Sequence, residues 1–310
     1  MTGRNVKNAN VRVADPSASA GMRPHQLAPR GLRTRIATVA GAGIALAMTS
    51  ASVAALSPSA AGALGASCAA PGAQNDGLGN SCLTTGAGSS FAGIGDAATG
   101  TLVVTGNSAA ASNGMAIAGS VNVGGGDLSV VGNVAVATDG TAWAGFLNAA
   151  GTGGSVNGNV AQTVGGVAYA GSVNASGGAL DVSENSASST DGTAAAGYEN
   201  FAAGDLVATG NEASASGAGT LAEAGADNVA GGGSLIASDN LASATGPDAT
   251  AIAGSNNNSP LGGLVTVGNI AVAKGADTTA IAGSFGGSDS NNVAVAVAQG
   301  GQASAVAGSG

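Results

Sequence analysis

A chain of 310 residues with 56 Gly, 8% charged and 2% aromatic side chains has too few charges for an ordinary soluble surface and too few large apolar groups for a conventional core. Seven of its eight Lys and Arg, and the single His25, precede residue 36, whereas sixteen of the seventeen Asp and Glu follow residue 63. Sixteen acids against the one base Lys274 leave that later part at −15, which argues against nucleic acid and anionic lipid as partners, because phosphate is contacted through Arg and Lys.

Residues 1–63 read as an extended N-terminus and a secretory signal peptide. Arg30, Arg33 and Arg35 lead into an apolar, Ala-rich stretch over 36–56, and Ser59-Ala60-Ala61-Gly62-Ala63 supplies a small-residue exit, with cleavage expected after Ala63. An uncleaved anchor is the competing reading, since the 21 residues of 36–56 are long enough to span a bilayer. Their Gly, Ser and Thr content and the small exit weigh against it, so no membrane span is expected in the mature chain. Met1 and Met22 are alternative starts.

A linker, 64–78, carries Cys68. Together with Cys82 it suits an exported protein in which a disulfide closes a short loop ahead of the repeats. Lipid attachment at Cys68 is the weaker reading, because Gly65-Ala66-Ser67 precedes it and leaves Leu64 one place too far upstream of the cysteine for the usual lipobox.

From residue 79 to 310 one pattern recurs. Asn107, Asn133, Asn159, Asn185, Asn211, Asn240, Asn269 and Asn292 stand 26, 26, 26, 26, 29, 29 and 23 residues apart, and a degenerate first copy adds Asn80. A second anchor, the Gly of Ala-x-Ala-Gly, follows at Gly119, Gly145, Gly171, Gly197, Gly225, Gly254, Gly283 and Gly308. Self-similarity at such a period marks a stacked repeat. Within each copy three runs of period-2 alternation are separated by Gly, Asn and Asp, which reads as short strands, and the Gly content argues against helix. The expected fold is all-β: a parallel β-solenoid of about nine coils with three short strands per coil.

The copies also indicate which side faces inward. Ala stands two residues after every anchor Asn from Ala109 to Ala294, and at both Ala positions of every full quartet, while the residues between vary from Val to Gln162, Glu212, Trp143 and Glu223. Strict smallness beside variable neighbours places the Ala rows inside. Leu102, Leu128, Leu180, Leu206, Leu235 and Leu264 add larger inward groups, so the expected cross-section is one Leu/Val wall against two Ala walls. The anchor Asn residues are expected to stack as a structural ladder at a turn. A second Asn row runs through Asn122, Asn148, Asn174, Asn200, Asn228 and Asn257.

Little catalytic chemistry is on offer. The part after residue 63 has no His and no Arg, so triads, Cys–His pairs and zinc sites lack their residues, and no enzyme activity, metal or cofactor is expected. Asp139 and Asp191 sit in Thr-Asp-Gly turns, where Asp serves the turn. The middle residues of successive quartets are Phe91, Ile117, Trp143 and Tyr169, with Phe146, Tyr198 and Phe201 close by. An exposed apolar stripe of this kind reads either as an interface or as stacking between coils. The final quartet lies close to Gly310, and the strand edges there are expected to invite end-to-end pairing.

The Asn-x-Ala-x-Ala and Ala-x-Ala-Gly rows, as in 132–145 and 268–283, are similar to the head repeats of trimeric autotransporter adhesins of the YadA type. That resemblance, which covers residues 79–310, implies a surface-displayed, non-catalytic β-solenoid. The Gly/Ala-rich body and Ala-rich leader also look like secreted bacterial repeat proteins. Together these readings give a secreted or cell-surface structural protein that associates with itself. The alternative is an adhesin or glycan-binding module that uses the aromatic stripe on cell-envelope or host glycan or protein.

Overall fold

The computed structural model describes residues 77–78, 81–87, 89–283 and 288–308, with the backbone alone for 77–78, 81–87 and 288–290. The leader 1–63 and Cys68 lie outside these residues, as does the side chain of Cys82, so a Cys68–Cys82 bridge remains an expectation. Every described element is a strand, and the strands stack in parallel as a β-solenoid. Three sheets have nine strands each, every strand pairing with its counterpart one coil away.

One coil shows the plan. Sheet one holds Leu128–Val131, sheet two Val134–Thr138 and sheet three Thr141–Ala144. A further strand of two residues, Ala149–Ala150, was not expected. It belongs to a six-stranded sheet four that runs from Ala97–Ala98 to Val229–Ala230. Two residues are too few to display a period, which is why alternation alone found three strands and not four.

The interior corrects the expected cross-section. Instead of one Leu/Val wall facing two Ala walls, there are two compartments. Ala135, Ala137, Ala161 and their counterparts on sheet two pack against Ala142, Ala144, Ala168 and theirs on sheet three. Leu128, Val130, Leu180 and Val182 on sheet one pack instead against Ala150, Ala202 and Ala230 on sheet four. The inward phase of the Ala rows is as the alternation implies, with Ala135, Ala142, Ala161 and Ala168 all at 0% exposure.

A waist of buried amides separates the compartments. In seven consecutive steps from Asn107 to Asn292, the amide nitrogen of one Asn donates to the amide oxygen of the next at 2.8 to 3.0 Å. The same oxygen accepts the backbone N–H of the preceding Asn at 3.0 to 3.3 Å. The second amide proton reaches a sheet-one carbonyl, as from Asn185 to Val156 at 2.8 Å. Both donors and the acceptor of each internal amide are thereby satisfied, which makes a buried polar row affordable.

The ladder explains the quartet Gly. A Cβ on Gly171 would lie 2.3 Å from the Asn185 side chain, and Gly171 has φ of +57°. Only Gly meets both demands without strain.

The 29-residue copies keep register because their extra residues fall in turns. Two are added between sheets two and three, where 217–220 replaces the 191–192 turn of the earlier copy. One is added on the way back to sheet one, where 231–234 replaces 203–205. Thr220, Ala249 and Thr278 turn inward at the first insertion and are buried, closing the open edge of the Ala compartment.

Candidate functional site

The outer face of sheet three and the corner after it collect most of the aromatic side chains among the described residues, together with the acids Glu199, Glu223 and Asp227. Register aligns Phe91, Ile117, Trp143, Tyr169, Ala195, Glu223, Ile252 and Ile281 in one column. The column is not the open stripe that alternation implies. Ile117 is 5% exposed, Ala195 is fully buried, Glu223 is 7% exposed, and Phe91, Trp143 and Tyr169 are half-buried.

A second row roofs it. The residue after each quartet Gly folds back over the column: Ile94, Phe146, Tyr198 and Ala226 are all buried there. The chain turns tightly enough for this because it passes twice through the left-handed region, at Gly145 (φ +61°) and Leu147 (φ +56°), and again at Gly171 and Val173. A β-branched residue at positive φ is a strained choice. It is held by bonds to the next coil, since the Val173 N–H donates to the Tyr198 carbonyl at 2.8 Å.

Ser and aromatic residues alternate in the roof. The Ser120 hydroxyl accepts the Phe146 N–H at 3.0 Å, and the Ser172 hydroxyl accepts the Tyr198 N–H at 3.3 Å. Each small Ser leaves room for the rings on either side. Phe146 therefore sits with its ring centroid 4.5 Å from that of Trp143 and 5.1 Å from that of Tyr169. The indole N–H of Trp143 is buried in this contact without a hydrogen-bond partner. Tyr198 packs with Ala195 and Ala226, and Tyr169 and Ile252 border that cluster. Phe201 does not join: it lies on sheet four, paired with Ala175 and Val229.

An acidic corner beside the rings escaped the sequence reading. The Tyr198 hydroxyl donates to the Glu199 carboxylate at 3.1 Å. Burial, then the charges of Asp227 and Glu199, push the Glu223 carboxyl up to about 8. Burial also raises Glu199, against the lowering effect of the Tyr198 bond. Tyr198 itself is held well above the usual phenol range by burial and by Glu223, Asp227 and Glu199. Glu223 thus holds its proton to higher pH than a free carboxyl, which is how it tolerates an outward position that has been roofed over. The available signal was an acid in a column otherwise filled by Phe, Ile, Trp, Tyr and Ala.

Among the described residues no group of three or more His, Cys, Asp or Glu is placed to hold a metal ion. A groove of about 280 Å³ lies where Gly154 interrupts the Leu column, lined by Thr101, Asp127, Ser129 and Ser155 among others. Compared with protein-family models, with curated proteins and with solved structures, the chain matches nothing in any of the three.

Proposed function

We propose that the chain is a secreted, non-catalytic structural repeat protein of the cell surface or extracellular space, and that it associates with itself. The observation that carries this reading is the amide ladder, unbroken through seven steps from Asn107 to Asn292. Every coil commits buried polar groups to its neighbours, so the chain's resources go into stiffness along the stacking axis, and stability grows with the number of neighbours. The basic, apolar and small-residue leader supplies the route out of the cell.

Two measurements on the producing cells and the purified chain test it. The protein recovered from medium or envelope should start near residue 64, and light scattering over a concentration series should show a β-rich particle that grows. Recovery from the cytoplasm with residues 1–63 intact, or a monomer at every concentration, would overturn the reading.

An adhesin or glycan-binding module keeps one specific support, the Trp143–Phe146–Tyr169 cluster. The roof leaves only parts of Trp143 and Tyr169 open to a ligand. If this alternative holds, Trp143→Ser with Tyr169→Ser should abolish retention on polysaccharide while the fold persists.

A further inference from the structure

The outer face of sheet two is apolar at Val134, Val136, Val160 and Val164, turns polar over the next two strands, and becomes mostly apolar again beyond them. Its outward residues form three columns, one, three and five places after each anchor Asn. Over Ser186–Thr190 and Glu212–Ser216 these are Ser186, Ser188 and Thr190, then Glu212, Ser214 and Ser216. Over the next three strands, Leu241–Thr245, Ile270–Gly275 and Val293–Ala298, six of the nine outward positions are apolar (Leu241, Ile270, Val272, Val293, Val295 and Val297), and Ser243, Thr245 and Lys274 are the polar ones. Register places Leu241, Ile270 and Val293 in the first column and Val272 with Val295 in the second. Ile270 is 40% exposed, Val293 45%, Val295 39% and Val297 42%. A run such as Val293–Ala298, apolar on both faces, is the pattern of a strand covered on both sides. Ala294 and Ala296, on the last strand of the sheet, pack partly buried against the solenoid's Ala interior, and the Val side is open.

Charge marks the margins of this face. Lys274, the one cation among the described residues, stands in the third column of Ile270–Gly275. Glu212 stands in the first column two strands away, at the diagonally opposite corner. Both are exposed.

We propose that this face docks a second copy of the chain, turned over about a two-fold axis that lies in the plane of contact at right angles to the Glu212–Lys274 diagonal. The inference rests on the self-association reading and names its surface. That axis exchanges the two corners, so Lys274 of each copy meets Glu212 of the other. It also lays Leu241 over Val272 of the second copy, sets Ile270 against the gap between Val272 and Val295, and brings Val293 near the axis against its own equivalent. One operation therefore matches Leu241 and Ile270 with Val272 and Val295 and cation with carboxylate, and leaves Ser243 on the axis against its own equivalent, as a self-complementary two-fold interface allows. Sheets packing face to face through β-branched rows are a standard layer arrangement. The patch is smaller than the roughly 800 Å² per partner of a standard interface, so the contact is reversible and depends on concentration.

Sedimentation of the full chain over a concentration series, with circular dichroism on the same samples, tests the surface. Ile270→Asp should weaken association about tenfold or more, since it places a charge at the centre of the apolar contact. Ile270→Ser with Val295→Ser is the gentler companion, should the Asp variant lose its β-rich spectrum. Lys274→Glu and Glu212→Lys should each weaken association about threefold, and the double exchange should restore it to within about twofold of the starting value. Association that withstands the Ile270 variants, or a double exchange no better than either single change, would overturn this surface while self-association stands. A chain that stays monomeric before any substitution would overturn the self-association reading and the surface with it.

Discussion

The two interior compartments obey different rules, although one chain winds through both. In the Ala compartment the sheet-two and sheet-three walls admit one side chain, Ala, at nearly every buried position. In the Leu/Val compartment the inward columns of sheet one run Leu102, Leu128, Gly154, Leu180, Leu206, Leu235 and Val104, Val130, Val156, Val182, Ala208, Ala237. Where two long sheets face each other through methyl groups there is little slack for a larger residue, and Thr163 and Ser189 of sheet two fit at the edge by donating their hydroxyls to the Gly140 and Gly166 carbonyls. Opposite the short sheet four, a neighbour can lean into a gap, as Leu180 does toward Gly154. Strictness of composition thus reports how rigidly the facing wall is held, and not how much apolar area is buried.

The sharpest way to break this contrast is at the waist that divides the compartments. Asn185→Ala removes the acceptor of the Asn159 backbone N–H and amide and the donor to the Val156 carbonyl, leaving three buried groups unmatched. A loss of about 4 kcal/mol or more is expected at about 1–3 kcal/mol per buried unsatisfied group, read from the shift in denaturation midpoint. An effect under 1 kcal/mol would mean that water replaces the ladder at little cost.

Next come paired substitutions across the waist. Ala168→Leu, in a site walled by Ala142 and Ala194 on its own sheet, should cost about 3 kcal/mol by overpacking. Leu206→Ala should cost about 2 kcal/mol, the low end for a buried Leu, because sheet four can follow. The reverse order would remove the distinction between the compartments.

Outside both compartments, the roofed acid makes stability depend on pH. Glu223 binds its proton more tightly folded than unfolded, so its contribution is fully present below the ordinary carboxyl value and declines as pH rises toward about 8. Chemical denaturation between pH 4 and pH 9 should show that decline in the natural chain and a flatter profile in Glu223→Gln. Equal slopes in the two proteins would place the titration elsewhere.

The smallest effect is expected at Gly154→Ala. The new Cβ would lie 2.8 Å from the Leu180 Cδ1, the far end of a flexible side chain, and nothing in the backbone opposes it. A change within about 1 kcal/mol of neutral is expected, since the entropy gained by replacing Gly offsets the shift of Leu180. The same change at Gly171 strikes the Asn185 side chain and should be severe.

What the sequence by itself determined follows from its internal repetition. Strand type, parallel stacking and the inward phase of the Ala rows are all readable, because copies in one chain expose which positions tolerate change. Three things required the folded coil. The two-residue strand at Ala149–Ala150 is shorter than any period that could reveal it. The division into Ala and Leu/Val compartments depends on which sheet faces which, and alternation reports only inside against outside. The burial of Trp143, Tyr169 and Glu223 arises from the roof of Phe146 and Tyr198, whose return over sheet three depends on left-handed backbone at Leu147, Val173 and Glu199. Val and Leu give no local sign of that conformation. Only the bonds made to the next coil, such as Val173 to Tyr198, hold it in place.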